Sequence, residues 1–183
     1  MTTVSTTTRS TARALCLLIP LILGSCTKTR RIEDLAPQTG IPTITTSTAV
    51  PLAIGAALNV NVTGSVSVAS TLNLPELRYE NQLGVCVFNG QVTYSDALRL
   101  TCPTQASLPE GVTLTTGSTR EVSAFSSGRP GQTSTFVHQT GLSFTDAGVY
   151  TVFGWQLAWT GSQANPLAES RRVTPQPLVI TVQ

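Results

Sequence analysis

The chain predicts an all-β fold, an antiparallel β-sandwich of seven to nine short strands, and three observations carry that expectation. Apolar residues recur with period two, as in Leu58-Asn59-Val60-Asn61-Val62, and no stretch shows a convincing amphipathic-helix period. Gly, Pro, Ser and Asn punctuate the chain between these runs, as turns do between short strands. Charged residues make up 11% of the sequence, against about 25% in an average soluble domain. Threonine, serine, asparagine and glutamine stand in their place, and threonine packs well on a pleated surface.

The N-terminal segment is of a different kind. Arg9 and Arg13 give a positive start, and Ala14 to Leu23 is an apolar run. That run is too short to cross a hydrocarbon layer of about 30 Å as a helix, so it reads as a cleaved signal peptide. It ends in Leu23-Gly24-Ser25-Cys26. These four residues resemble the lipobox of bacterial lipoproteins: an aliphatic residue, two small residues, then the cysteine that receives the lipid. The resemblance implies cleavage after residue 25, a lipid on Cys26 and an envelope location. Two or three acyl chains would hold firmly, since each buried CH₂ contributes about 0.8 kcal/mol. Thr27 follows in place of aspartate, which resembles the outer-membrane sorting pattern of bacteria with two membranes.

Cleavage changes the charge balance. The precursor has 11 basic and 9 acidic residues. Removing residues 1–25 takes Arg9 and Arg13 but no acid, so the mature chain is formally neutral and gives no reason to expect a nucleic-acid partner. Lys28, Arg30 and Arg31 lie beside the lipid and are diluted by Glu33 and Asp34. Residues 26–45, with Pro37, Gly40, Pro42 and a Thr/Ser stretch, read as a lipid-anchored flexible spacer. Residues 46–183 suit a single domain.

Strands are expected in order along that domain. Leu58 to Val62 alternates, and Val66 and Val68 continue beyond Gly64. Val85-Cys86-Val87-Phe88 and Gln91-Val92-Thr93-Tyr94 flank Asn89-Gly90, a pair suited to a two-residue hairpin turn. Leu98 to Cys102, Val112 to Thr115 and Glu121 to Phe125 are shorter candidates. Thr135 to Gln139, Tyr150 to Trp159 and Leu178 to Val182 complete the set.

Cys16 leaves with the signal and Cys26 takes the lipid, so Cys86 and Cys102 remain as a pair, and an exported chain favours a disulfide. Its geometry stays open. An Asn89-Gly90 hairpin puts Cys86 opposite Thr93, and a flat meander separates Cys86 from Cys102 by about 9.5 Å, beyond the reach of a bridge. Either the segment from Ser95 to Thr101 curls back, or Cys102 sits on a loop.

Phe144-Thr145-Asp146-Ala147-Gly148-Val149-Tyr150-Thr151-Val152 resembles the approach to strand F of immunoglobulin-like domains, where the pattern is Asp-x-Gly-x-Tyr. Bacterial PKD-like domains share the Gly-x-Tyr-x-Val ending. The resemblance implies a tyrosine corner, with the Tyr150 ring buried and its hydroxyl bonded to upstream backbone. The chain departs from the antibody pattern at Val152, where an inter-sheet cysteine would stand, and it lacks the Gly-Asp-Gly turn of PKD domains. An Ig-like sandwich hosts many roles, so function must come from a site.

One stretch offers such a site. If Tyr150 and Val152 point inward, then Phe153, Trp155, Leu157 and Trp159 form a stripe on the opposite face and contain both tryptophans. Exposed, the stripe would bind sugar or protein. A β-bulge at Gly154 would instead turn Trp155, Leu157 and Trp159 into the core. Other candidates carry less. His138 is the only histidine and has no nucleophile-elbow sequence with it, Glu76 and Glu80 lie in a non-helical stretch, and Ser127 to Gly131 reads as a hairpin tip. Asn61-Val62-Thr63 fits a glycosylation sequon but reads as strand. No metal and no cofactor are expected. The leading functional expectation is a non-enzymatic, lipid-anchored envelope protein that binds a protein partner or polysaccharide. A carbohydrate-binding module working through Trp155 and Trp159 is the alternative, and a hydrolytic enzyme the remote one.

Overall fold

The computed structural model describes residues 36–68, 79–99, 108–125, 132–162 and 165–183. The signal peptide, Cys26, Cys102 and the Ser127 to Gly131 tip lie outside the described residues, as does most of the expected Leu98 to Cys102 strand. Among the described residues ten strands form: β1 (Pro37–Thr39), β2 (Thr43–Thr46), β3 (Ala57–Val68), β4 (Tyr79–Asn89), β5 (Val112–Thr116), β6 (Arg120–Phe125), β7 (Thr133–Phe144), β8 (Gly148–Ser162), β9 (Asn165–Val173) and β10 (Leu178–Val182). A short helix, α1 (Tyr94–Arg99), follows β4.

The strands make two antiparallel five-stranded sheets. In the first the order is β1-β3-β7-β5, with β2 sharing the β3 edge with β1. In the second the order is β10-β8-β4-β6, with β9 sharing the β8 edge with β10. A parallel bridge joins Leu52 to Val182, so the segment after β2 crosses to the last strand of the other sheet. This crossing and the corner before β8 make the sandwich immunoglobulin-like. The all-β expectation holds.

The period-two pattern explains the core. Leu58, Val60 and Val62 of β3 face Leu83, Val85 and Val87 of β4, Val152 of β8 and Ile180 of β10, all buried. The alternating Asn59, Asn61, Thr63 and Ser65 turn to the opposite, solvated side of the first sheet. Phe144 and Tyr150 close the core where β7 turns into β8, with ring centroids 4.6 Å apart.

Three sequence expectations need correction. Part of the stretch expected as spacer is strand: Pro37–Thr39 pairs with Val66 to Val68, and Thr43–Thr46 pairs with Val60 to Thr63. The unusually long β3 edge accepts both short strands, which is why their weak local pattern did not mark them. The Asn89-Gly90 hairpin does not form. Gly90 does adopt a positive φ of 82°, but its N–H donates to the Val149 carbonyl at 2.7 Å. The chain beyond Gly90 is held on β8 instead: the Thr151 hydroxyl donates to the Gly90 carbonyl at 2.7 Å and accepts the Val92 N–H at 3.1 Å. Finally, a helix stands at Tyr94–Arg99 where strand was expected. Thr93 caps it: its hydroxyl donates to Asp96 Oδ2 at 2.6 Å and accepts from the Asp96 N–H at 3.3 Å. The Thr-x-x-Asp spacing of a capping box was the sequence signal for it.

Candidate functional site

The aromatic stripe is the natural starting point, because β8 pairs with β4 without a break. Partners run from Tyr79 opposite Thr160 to Asn89 opposite Tyr150 in a constant register. No bulge occurs at Gly154; the irregularity on this strand lies between Thr160 and Gly161. Tyr150, Val152, Gly154 and Gln156 therefore point between the sheets, and Phe153, Trp155, Leu157 and Trp159 point to the outer side of the second sheet.

Gly154 has a different task from the one expected. Here the outer edge of β8 changes partner, from β10 to β9. Thr174, between those two strands, donates its N–H to the Gly154 carbonyl at 2.8 Å and accepts the Gly154 N–H on its hydroxyl at 3.0 Å. A Cβ at Gly154 would sit 3.0 Å from a Val62 methyl, so glycine lets the two sheets approach.

The stripe is nevertheless not an exposed binding surface. Phe153, Trp155 and Trp159 are 0%, 2% and 1% exposed, and Leu157 is half-buried. A second apolar layer covers the outer face: Ala97 of α1 and Val173 of β9 pack with Cys86, Phe153 and Trp155, and Val92, Phe88 and Leu157 border them. The Phe88 and Phe153 rings meet edge-on at 6.1 Å. Gly84 makes room for the indole, since a Cβ there would lie 2.6 Å from Trp155 Cζ2. Both sequence alternatives thus fail: the stripe keeps its outward parity, but Ala97 of α1, remote in sequence, packs on it and Val173 of the adjacent strand β9 flanks Trp155. Cys86 sits under that roof and is disulfide-bonded, with its partner outside the described residues.

Tyr150 forms the expected corner. Its ring is 4% exposed and its hydroxyl donates to the Asp146 carbonyl at 3.1 Å. His138 is a buried structural group. Its Nε2 faces the Ser118 carbonyl at 3.0 Å, which can only accept, so that nitrogen carries a proton. Its Nδ1 lies 3.4 Å from Glu121 Oε2, and the pair links the edges of the two sheets. Asn81, Leu83 and Ser123 line a small recess beside it.

Several buried polar groups lie on the inner and outer faces of the second sheet. Gln156 Nε2 donates to Asn81 Oδ1 at 2.8 Å. Gln156 Oε1, Tyr79 Oη and Trp159 Nε1 are buried without a hydrogen-bond partner among the described residues. Burial pushes the Tyr79 hydroxyl above its ordinary pKa. Gly64 accommodates the Gln156 amide, since a Cβ there would lie 2.6 Å from Oε1. The period-two parity that turns Tyr150 and Val152 inward turns Gln156 inward with them.

A sharper contrast separates the two sheets. The strands of the first carry no Asp, Glu, Lys or Arg. All strand charges belong to the second: Glu80, Arg120, Glu121, Glu169, Arg171 and Arg172. Among the described residues no group of three or more His, Cys, Asp or Glu side chains gathers in metal-binding fashion. No described helix is long and apolar enough to cross a membrane.

No protein-family model matches the chain, and no curated protein matches it. Among solved structures, it is similar to a chain from Bacteroides fragilis named for a beta-galactosidase, at 12% identity and a TM-score of 0.37, over 75% of this chain and 15% of that one. It is also similar to a glycosyl hydrolase family 2 member from Bacteroides cellulosilyticus, at 10% identity and a TM-score of 0.38, over 76% of this chain and 15% of that one. The chain thus spans about 15% of the length of these solved chains, and a likeness this slight carries no argument about activity.

Proposed function

We propose that this chain is a non-enzymatic, lipid-anchored protein of the bacterial cell envelope, whose immunoglobulin-like domain serves as a binding or structural module in an envelope or surface assembly. The observation that carries the reading is Leu23-Gly24-Ser25-Cys26 behind a basic start and a short apolar run. The sheet begins at Pro37, which leaves residues 27–36 as the tether between the lipid and the sandwich. The outer membrane is the proposed location if the bacterium has two membranes. Metabolic labelling with a fatty acid tests the anchor: the wild-type protein takes up label and fractionates with membranes, and Cys26→Ala takes up none and stays as precursor. Labelling of Cys26→Ala at the wild-type level overturns the reading.

A further inference from the structure

We propose that the solvated face of the first sheet is the docking surface, and that its occupant is a neutral, hydroxyl-rich polysaccharide. This rests on the reading of the chain as an envelope binding module and names the surface and the class of partner.

The argument begins with register. Thr45, Asn61 and Gln139 stand side by side on β2, β3 and β7, and Thr43, Thr63 and Val137 form the next row. Neighbours within a row are about 4.8 Å apart and the rows about 6.8 Å apart. Each hydroxyl and carboxamide both donates and accepts. None of these five polar side chains makes a hydrogen bond to another described residue. Val137, 55% exposed, adds an apolar contact amid them.

Charge selects the partner. With no charged side chain on any strand of this sheet, an acidic or basic polymer loses hydration on docking and gains no counter-charge. A second copy presenting the same face would have to pair every buried amide and hydroxyl with a rigid partner group or leave it unsatisfied, which costs its hydration without return. A polysaccharide brings rotatable hydroxyls that donate or accept as required. Neutral hydrogen bonding also makes the association insensitive to salt.

Affinity electrophoresis of the full-length lipoprotein in detergent micelles tests this, with dextran, mannan or laminarin in the gel and dextran sulfate as the charged comparison. At least one neutral polymer retards the wild-type protein, equally at about 50 and 500 mM NaCl. Asn61→Asp and Gln139→Glu each weaken retardation at least tenfold with unchanged melting temperature, and Glu169→Gln on the other sheet leaves it unchanged. The proposal is overturned if no neutral polymer retards the protein, if retardation fades with salt, or if it survives both face variants. A concentration-dependent dimer abolished by Asn61→Asp overturns it too and assigns the face to a second copy. Fatty-acid labelling of the same preparation separates a failed anchor from a failed docking face.

Discussion

Replacing Tyr150 probes the joint on which the immunoglobulin-like fold turns. The ring lies between the sheets with its centroid 4.6 Å from that of Phe144, and the hydroxyl reaches the Asp146 carbonyl at 3.1 Å. Tyr150→Phe keeps the ring and removes the bond. Asp146 is exposed, so water replaces the lost donor, and the cost is about 0.5–1.5 kcal/mol. Tyr150→Ala also opens a cavity beside Phe144, for which other buried aromatics suggest about 3–5 kcal/mol. In a domain of this size that is a fall in melting temperature of roughly 6–20 °C. Urea unfolding monitored by circular dichroism measures both variants. A loss below about 1 kcal/mol for Tyr150→Ala, or equal losses for Phe and Ala, would refute the corner as a packing element.

Other outcomes follow from the layer over the second sheet. Trp155→Ala should cost about 3–5 kcal/mol in the same unfolding assay, because the indole is 2% exposed, although it faces away from the main core; a near-neutral result means the roof of α1 and β9 does not hold it. Gly84→Ala should cost about 1–3 kcal/mol, since its new methyl meets Trp155 Cζ2 and the Thr119 carbonyl oxygen, both at 2.6 Å. Gly90, with nothing within 4 Å but a φ of +82°, offers a comparison in which backbone strain acts without crowding. Peptide mapping without reductant should recover Cys86 linked to Cys102, and removing both should cost about 3 kcal/mol on the loop-closure argument. Recovery of Cys102 as a free thiol excludes that pairing.

The sequence was most informative where a local pattern and the final packing agree. Leu58 to Val62 alternates because one side of β3 is core and the other solvent, and Asp146 to Tyr150 forms its corner largely from nearby residues. The pattern misled where distant elements decide. Asn89-Gly90 has the chemistry of a hairpin, but Gly90 and Val92 bond to Val149 and Thr151 of β8, a strand some sixty residues further along the chain. Period two assigned Phe153, Trp155, Leu157 and Trp159 to one face correctly. It says nothing of what covers that face, and Ala97 arrives from well away along the chain. The neutral sheet was present in the sequence as missing charge, yet only the strand order gathers its threonines and amides onto one surface.

The bridge between Leu52 and Val182 bears on how the domain comes into being. Leu52 donates its N–H to the Thr181 carbonyl and accepts the N–H of Gln183, each at 2.9 Å. Leu52 thus acquires these backbone partners only once Thr181 and Gln183 have emerged in synthesis. β10 also supplies the first third of the outer edge of β8, through Leu178 to Val182. A growing chain can bring β3 to β7 and β4 to β8 before that point, but it carries an open sheet edge and an unanchored Leu52 until β10 has emerged. Closure is therefore a late, long-range event, slow for its size, and a chain stopped short of Leu178 would keep an unpaired strand edge available to other chains.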